Sequence, residues 1–464
     1  MSHQHCHDYA RSHAMAGAGL PQIEPGMPVP AGTGLTRRSM LLRTLGLGVA
    51  VYGGGALAGA QRLEAAINDA LGQHRVVVSV FVDGGWDNLS LLAPFGLEAD
   101  LARLRPNLTT SIDRAKAVPL DLDPRLSWHP AAAGLRALYD DPAMGVAIAP
   151  AIGYDDANYS HFTSRHFWET GTTEVNGRTG WMGRYLDRVG SPDVPIQGIT
   201  VGGSLSPSLA TGKVPVSAIW KVDGYDYWIP GAWGPNADAG NGALRHLAAK
   251  KSGDRWLDQA RLTTGAAFGL LDSVRATKPV PASGAAYPTI QSQFVTGLRD
   301  TARLLSTRVN GSALPIRCVG LRAHGGYDTH SAQEPSFSEN LKITADGIRA
   351  FWQDLAARGE DDRVVMVVWS EFGRRPAENG SAGCDHGAAG TAFVIGRQIK
   401  QGLIGEFPGL QAAGSTGSGL MQDGNLRATS DFRGLYAALL EQWLGTGADG
   451  IIPDAAKFAR PGLI

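Results

Sequence analysis

"RVVVSVFVDGG", Arg75–Gly85, is the stretch that sets the fold. It is β-branched and apolar with almost no polar alternation, so it does not suit a strand with one wet face. A strand buried on both faces, in a parallel sheet covered by helices, fits it. Asp83 and the paired glycines then open a loop at its carboxyl end. Comparable runs recur at Met144–Gly153, Pro195–Gly203, Ile316–Ala323, Arg363–Trp369 and Thr391–Gly396. Helical segments separate them. "YSHFTSRHFWETG" has Ser160 as an N-cap and Gly171 as its stop. Others run from about 288 to 306, over Ser338–Gly359, and from Asp431, a cap, to Gly445. The alternation predicts an α/β fold, a mainly parallel sheet flanked by helices. Residues 204–285 interrupt it. They are turn-rich and aromatic, "YDYWIPGAWGP" at Tyr225–Pro235 above all, and read as an inserted lobe. Its aromatic residues suit a core or a platform for stacking sugars.

The chain has 464 residues, too many for one small core and enough for one large α/β domain or two domains. A formal net charge of −1 argues against a nucleic-acid partner. Cys6, Cys318 and Cys384 are too few for a disulfide framework.

The N-terminus carries an address. Arg37-Arg38, an apolar run from Met40 to Ala58 and then Ala58-Gly59-Ala60 read as a twin-arginine export signal, cleaved near Ala60-Gln61. The glycine-rich run is a poor membrane span. The histidine-rich start, "MSHQHCHDYARSH", belongs to a long n-region. Residues 1–60 are therefore assigned to the signal and 61–464 to one mature domain, periplasmic or secreted, with no stable membrane span.

In a sheet of this kind, sites form beyond the carboxyl ends of the strands. Asp83 and Asp87 follow the first strand, and Ser160 and His161 the second. Asp328 and His330 follow the strand ending at Ala323. Glu371, Asp385 and His386 follow the one ending at Trp369. Each motif alone has an ordinary reading: Ser160 as a cap, Glu371 as a partner for Arg374 or Arg375, and Asp87-Asn88 as a turn. Their placement at one edge points to more. Carboxylates with neutral imidazoles are the donor set of a divalent metal such as Zn²⁺, Mn²⁺ or Ca²⁺, as one or two ions. A serine at a helix N-terminus sits where an anion is favoured, and a metal beside it would make it a nucleophile. Asp83, Asp87, Asp328, His330, Glu371, Asp385 and His386 are thus the expected ligands, and Ser160 with His161 the expected catalytic pair.

Six stretches carry a family resemblance: "FVDGGWDNLSLLAPFG", "NYSHFTSRHFWETG", "GWMGRYL", "GGYDTHSAQ", "SEFGRRPAENGSAGCDHG" and "DFRGLYAALL". Running in order from about residue 75 to 445, they resemble DUF1501 proteins, distant relatives of the alkaline phosphatase–sulfatase superfamily. The resemblance implies an alkaline-phosphatase-like core. It places Asp87 or Asp83 at the first metal-binding Asp, Ser160 at the nucleophile, Asp328 and His330 at the Asp…His pair, Glu371 at the strand-end acid and His386 at the final His. Two departures stand out. Asp328 and His330 are closer in sequence than the phosphatase pair, and Phe372 stands where a histidine would follow the strand-end acid. The function implied is an exported metal-dependent hydrolase of phosphate or sulfate esters, acting on a small molecule or a polysaccharide. The alternatives are a non-catalytic relative that binds a ligand, a polysaccharide or a partner protein, and a metal-dependent phospho-group transferase.

Overall fold

The computed structural model describes residues 50–52 and 75–464, apart from 227, 228, 230, 232, 278–282, 310 and 416. The twin arginines, the cleavage site, the histidine-rich start, Tyr227 and Trp228 lie outside the described residues.

In chain order the central strands are β1 (Ala50–Tyr52), β2 (Val76–Phe81), β3 (Gly145–Gly153), β4 (Gly198–Val201), β5 (Val216–Ile219), β6 (Cys318–Arg322), β7 (Val364–Trp369), β8 (Gly390–Gly396), β9 (Gly402–Leu403) and β10 (Ser430–Asp431). The sheet order is β1-β5-β4-β6-β2-β7-β8-β3-β9, with β10 also paired to β3. The block β5-β4-β6-β2-β7 is parallel throughout. β8 is antiparallel to both its neighbours, β7 and β3, so β3 again points with the block. β1 closes the far edge antiparallel to β5.

The principal helices are α1 (Ala133–Tyr139), α2 (His161–Thr170), α3 (Trp181–Val189), α4 (Pro235–Ala248), α5 (Arg255–Arg275), α6 (Gln293–Ser306), α7 (Gln333–Arg358) and α8 (Phe432–Ala438). They cover both faces of the sheet, as the apolar strands require. Along β2, Val76, Val78 and Val80 pack into one core and Val77 and Phe81 into the other. β7 divides in the same way: Val364, Met366 and Val368 face α1, α6 and α7, while Val365, Val367 and Trp369 face α2, α3 and α8. The period of two along a strand delivers alternate residues to opposite layers.

Residues 204–285 are only partly a lobe. Val216–Ile219 form β5 of the central sheet, and α4 and α5 are the principal helices of the remainder. Tyr225 packs against the main core. Among the described residues no helix is long and apolar enough to cross a membrane.

β8 has a direct consequence for the site. A reversed strand begins at the edge where its parallel neighbours end. Asp385 and His386, just before β8, therefore meet residues that follow β3, β6 and β7.

Candidate metal centre

Helix α2 starts where the sequence reading put it. Ser160 is its N-cap, with Oγ accepting the Thr163 N–H at 3.5 Å, and Gly171 ends it in the left-handed region at φ 68°. The helix is pinned by Trp168, which stacks on Trp369 at 5.4 Å and on Phe432 at 4.6 Å between ring centroids. Trp369 directly precedes Ser370 and Glu371, so one aromatic contact fixes both the helix and the acid.

Glu371 is fully buried. Its carboxylate accepts the N–H groups of Gly84, at 3.0 Å, and Gly85, at 3.0 Å, and meets His161 Nδ1 at 2.7 Å. The two glycines are required there. Their φ values are +107° and +68°, and a Cβ on Gly84 would lie 2.5 Å from the Asp328 nitrogen. Their backbone is thereby wedged against the Asp328 loop while its N–H groups face Glu371.

Three histidines converge on one carboxylate oxygen. Asp328 Oδ1 lies 3.4 Å from His161 Nε2, 3.1 Å from His330 Nε2 and 3.4 Å from His386 Nε2. The Nε2 atoms of His330 and His386 are 3.0 Å apart. Ligand atoms of His161, Asp328 and His386 all fall within 4.8 Å of one another. The opposite ring nitrogens are each held by an acceptor: His161 by Glu371, His330 by Asp385 Oδ1 at 3.1 Å, and His386 by the Tyr159 carbonyl at 2.6 Å. A nitrogen facing an acceptor carries the proton, so a neutral ring then presents its lone pair at Nε2. Three such lone pairs around a carboxylate oxygen repel one another unless a cation lies between them.

Tilted ring contacts complete the wall. Phe372 lies against His161 and His386 at 4.9 and 4.6 Å between centroids, in the place where a second histidine would have followed the acid.

Arg374 is fully buried, and sequence reasoning left it without a role beyond a partnership with Glu371. It instead donates to Asp328 Oδ1 at 2.7 Å and to the carbonyls of Gly84, Gly85, Tyr327 and Cys384. Burial disfavours ionisation of Asp328; without an ion, protons shared between its Oδ1 and the Nε2 atoms of His161, His330 and His386, together with the Arg374 charge, outweigh it and hold the carboxyl well below the usual range. The signal for Arg374 lay in "SEFGRR", two arginines just past a buried strand.

The other expected ligands are engaged elsewhere. Asp83 pairs with Arg322. Asp87 caps the short helix Asn88–Leu91 and forms a two-pronged ion pair with Arg105, at 2.5 and 2.9 Å, while Ser90 and Gln333 also donate to it. Both acids follow a strand end, but each has an arginine within reach, and a guanidinium satisfies a carboxylate as fully as an ion would. Asp385 stands behind His330, and His161, expected in catalysis, stands among the converging nitrogens. The Ser160 hydroxyl serves the helix, through Thr163, while the residues on either side of it, Tyr159 and His161, both take part in the cluster.

Residues 286–452 match the DUF1501 family. Its description reads "Protein of unknown function". The match agrees with the DUF1501 resemblance over that span. The matched span contains Asp328, His330, Glu371, Arg374, Asp385 and His386, whereas Ser160 and His161 lie before it. No curated protein matches the chain. Among solved structures, it is similar to the C-terminal periplasmic domain of EptC from Escherichia coli, in complex with Zn, at 8% identity over 84% of this chain and 92% of that one, with TM-score 0.37. It is also similar to a protein in the alkaline phosphatase superfamily from Vibrio parahaemolyticus, at 8% identity over 97% and 77%, TM-score 0.32. A third is the phosphonate monoester hydrolase of Agrobacterium radiobacter, at 11% identity over 80% and 73%, TM-score 0.32.

Proposed function

We propose that the protein is an exported, metal-dependent hydrolase of phosphate or sulfate esters. The observation that supports this best is the convergence of His161, His330, His386 and Asp328. In a tetrahedral site with bonds of roughly 2.0–2.1 Å, neighbouring ligand atoms stand about 3.3 Å apart. The separations of Asp328 Oδ1 from the three Nε2 atoms, and of His330 Nε2 from His386 Nε2, run from 3.0 to 3.4 Å. Charge agrees as well: the carboxylates of Asp328, Glu371 and Asp385 bring three negative charges to the cluster, the Arg374 guanidinium bonded to Asp328 brings one positive charge, and a divalent ion balances the remainder. Imidazole with a single carboxylate suits zinc or manganese, whereas calcium takes oxygen. With Asp83 and Asp87 paired to arginines, one ion is the reading favoured.

His161, His330, His386 and Asp328 would hold the ion. Glu371, Asp385 and the Tyr159 carbonyl orient the rings, as outer partners of metal-binding histidines do. The ion, when bound, supplies Lewis acidity and lowers the pKa of a nearby hydroxyl. Ser160 is the nucleophile of this reading. Its Oγ bonds to phosphorus or sulfur, the alcohol departs, and water then releases the acid from serine. The N-terminus of α2 favours the anionic ester group beside it.

Ser160→Ala tests the assignment. Metal content should stay at the wild-type level, while turnover of aryl phosphates and aryl sulfates falls by roughly a thousand-fold or more. A serine that only caps α2 would instead cost about 1 kcal/mol of stability and leave turnover in place. Retained turnover in this variant removes Ser160 from the chemistry.

Export is part of the proposal, leaving residues 61–464 as one unit. With Arg37 and Arg38 both changed to lysine, precursor should accumulate in the cytoplasm and the mature form should disappear from the periplasmic or secreted fraction. Normal processing of that double variant would exclude the twin-arginine route.

A further inference from the structure

Beside the metal centre lies a second feature, a cavity of about 520 Å³ between the ends of β2, β4 and β6 and the start of α6. Three chain segments serve both. On α2, His161 reaches the cluster and Arg165, one turn later, lines the cavity. Asp83, paired to the cavity's Arg322, is followed at once by Gly84, which binds Glu371. The loop after β6 begins in the cavity wall with His324 and Gly325 and continues to Asp328. One helical turn, roughly 5–6 Å along the axis, separates His161 of the cluster from Arg165 of the cavity wall.

The chemistry of the wall is specific. Trp220 lines it and is 60% exposed, an indole left open to solvent where burial is the rule for its kind. Its carbonyl is held by the Gln293 amide at 2.6 Å. Thr200, Ser204, Ser206 and Ser292 bring hydroxyls. A Cβ on Gly203 would meet nothing within 4 Å, so the floor there is open. The cations are already matched, Arg165 to Glu169 at 2.7 Å and Arg322 to Asp83. Burial, opposed by Arg165, lifts the Glu169 carboxyl to about 7, and burial lowers His324. Near neutrality the wall therefore carries about one net positive charge at most, too little to select a polyanion.

The geometry points to a carbohydrate subsite: the cavity binds a neutral sugar ring, stacked on Trp220 and hydrogen-bonded by the serine hydroxyls, with its ester group reaching the metal centre. An aromatic face with surrounding neutral hydroxyls and amides is what a polyhydroxylated ring with one apolar face requires. This deepens the proposed function by naming its substrate class, and rests on that reading only for the ester. It also moves the stacking platform from the Tyr225–Trp233 stretch to Trp220.

The test is calorimetric titration of the protein with a panel of neutral trisaccharides: maltotriose, cellotriose, laminaritriose, chitotriose and mannotriose. At least one should bind, and Trp220→Ala should weaken it ten-fold or more. Gly203→Phe, which fills the open floor, should abolish it. His386→Ala should bind the sugar as the wild type does, since the subsite does not need the ion. Absence of binding across the panel overturns the inference, as does binding indifferent to both cavity variants, or heparin binding tighter than every neutral sugar. Turnover of aryl esters without sugar binding would sink the subsite and leave the hydrolase standing. Sugar binding without turnover of any ester would do the reverse.

Discussion

His386→Ala should empty the metal centre. Purified wild type, dialysed against metal-free buffer, is expected to retain close to one equivalent of zinc or manganese by elemental analysis. The variant should retain almost none. The ring is fixed at Nδ1 by the Tyr159 carbonyl and places Nε2 3.0 Å from that of His330 and 3.4 Å from Asp328 Oδ1. Its loss leaves three donors and an open face. Asp328→Ala, which removes the oxygen that all three imidazoles share, should act in the same way. Glu371→Gln and Asp385→Asn offer a graded control. They alter the acceptors behind His161 and His330, and outer partners of this kind cost about 10–100-fold in metal affinity. The ordering is the test: the ligand variants should exceed the outer variants, and both should exceed Asp83→Asn, which alters the acid paired with Arg322 in the cavity wall. Full metal occupancy in His386→Ala and Asp328→Ala together would dismiss the centre altogether.

The other large effect is on stability. Asp87→Ala should lower unfolding free energy by about 3–5 kcal/mol, because Arg105 would be left as an uncompensated buried charge. Asp87 is fully buried and Arg105 is 2% exposed. Arg105 also donates to the carbonyls of Pro376 at 2.7 Å and Arg375 at 2.8 Å, so the pair anchors the start of the loop that returns to His386. Urea unfolding followed by circular dichroism measures the loss. Arg105→Leu added to Asp87→Ala should recover much of it, since the pair is then removed as a unit. Metal content of the folded fraction should remain near wild type, the reverse of what a ligand would give. The same pair sets an acid limit. Burial opposes ionisation of Asp87, yet the Arg105 charge and the hydrogen bonds of Arg105, Ser90 and Gln333 hold its carboxyl below the ordinary 3.8. A depressed carboxyl adds stability above the unfolded value and loses it as pH falls through the folded one. The stability of the wild type should therefore decline below about pH 3.8, and Asp87→Asn should show a shallower acid slope. Equal slopes in the two proteins would mean that Asp87 does not carry the effect.

Much of the frame was legible in the sequence because its signals are local. Arg75–Gly85 and Arg363–Trp369 are apolar on both faces, and such strands are stable only between two helical layers. Ser160 and Gly171 bound α2 through a cap and a left-handed stop, each set within a few residues of chain. The rule that loops gather at strand ends then placed Asp328, His330, Glu371 and His386 together, and the structure joins them in one network. What no local pattern contains is the partner of each polar atom. Asp87 and Glu371 are both acids beyond a buried strand. One meets Arg105 and the other His161, and only the packed chain decides which. His386 owes its place to the reversal of β8, and its tautomer to a carbonyl at Tyr159, 227 residues away. Strand pairing direction and hydrogen-bond partnership depend on contacts distant in sequence, so the tertiary structure alone separated the converging side chains from the acids that merely lie at the same edge.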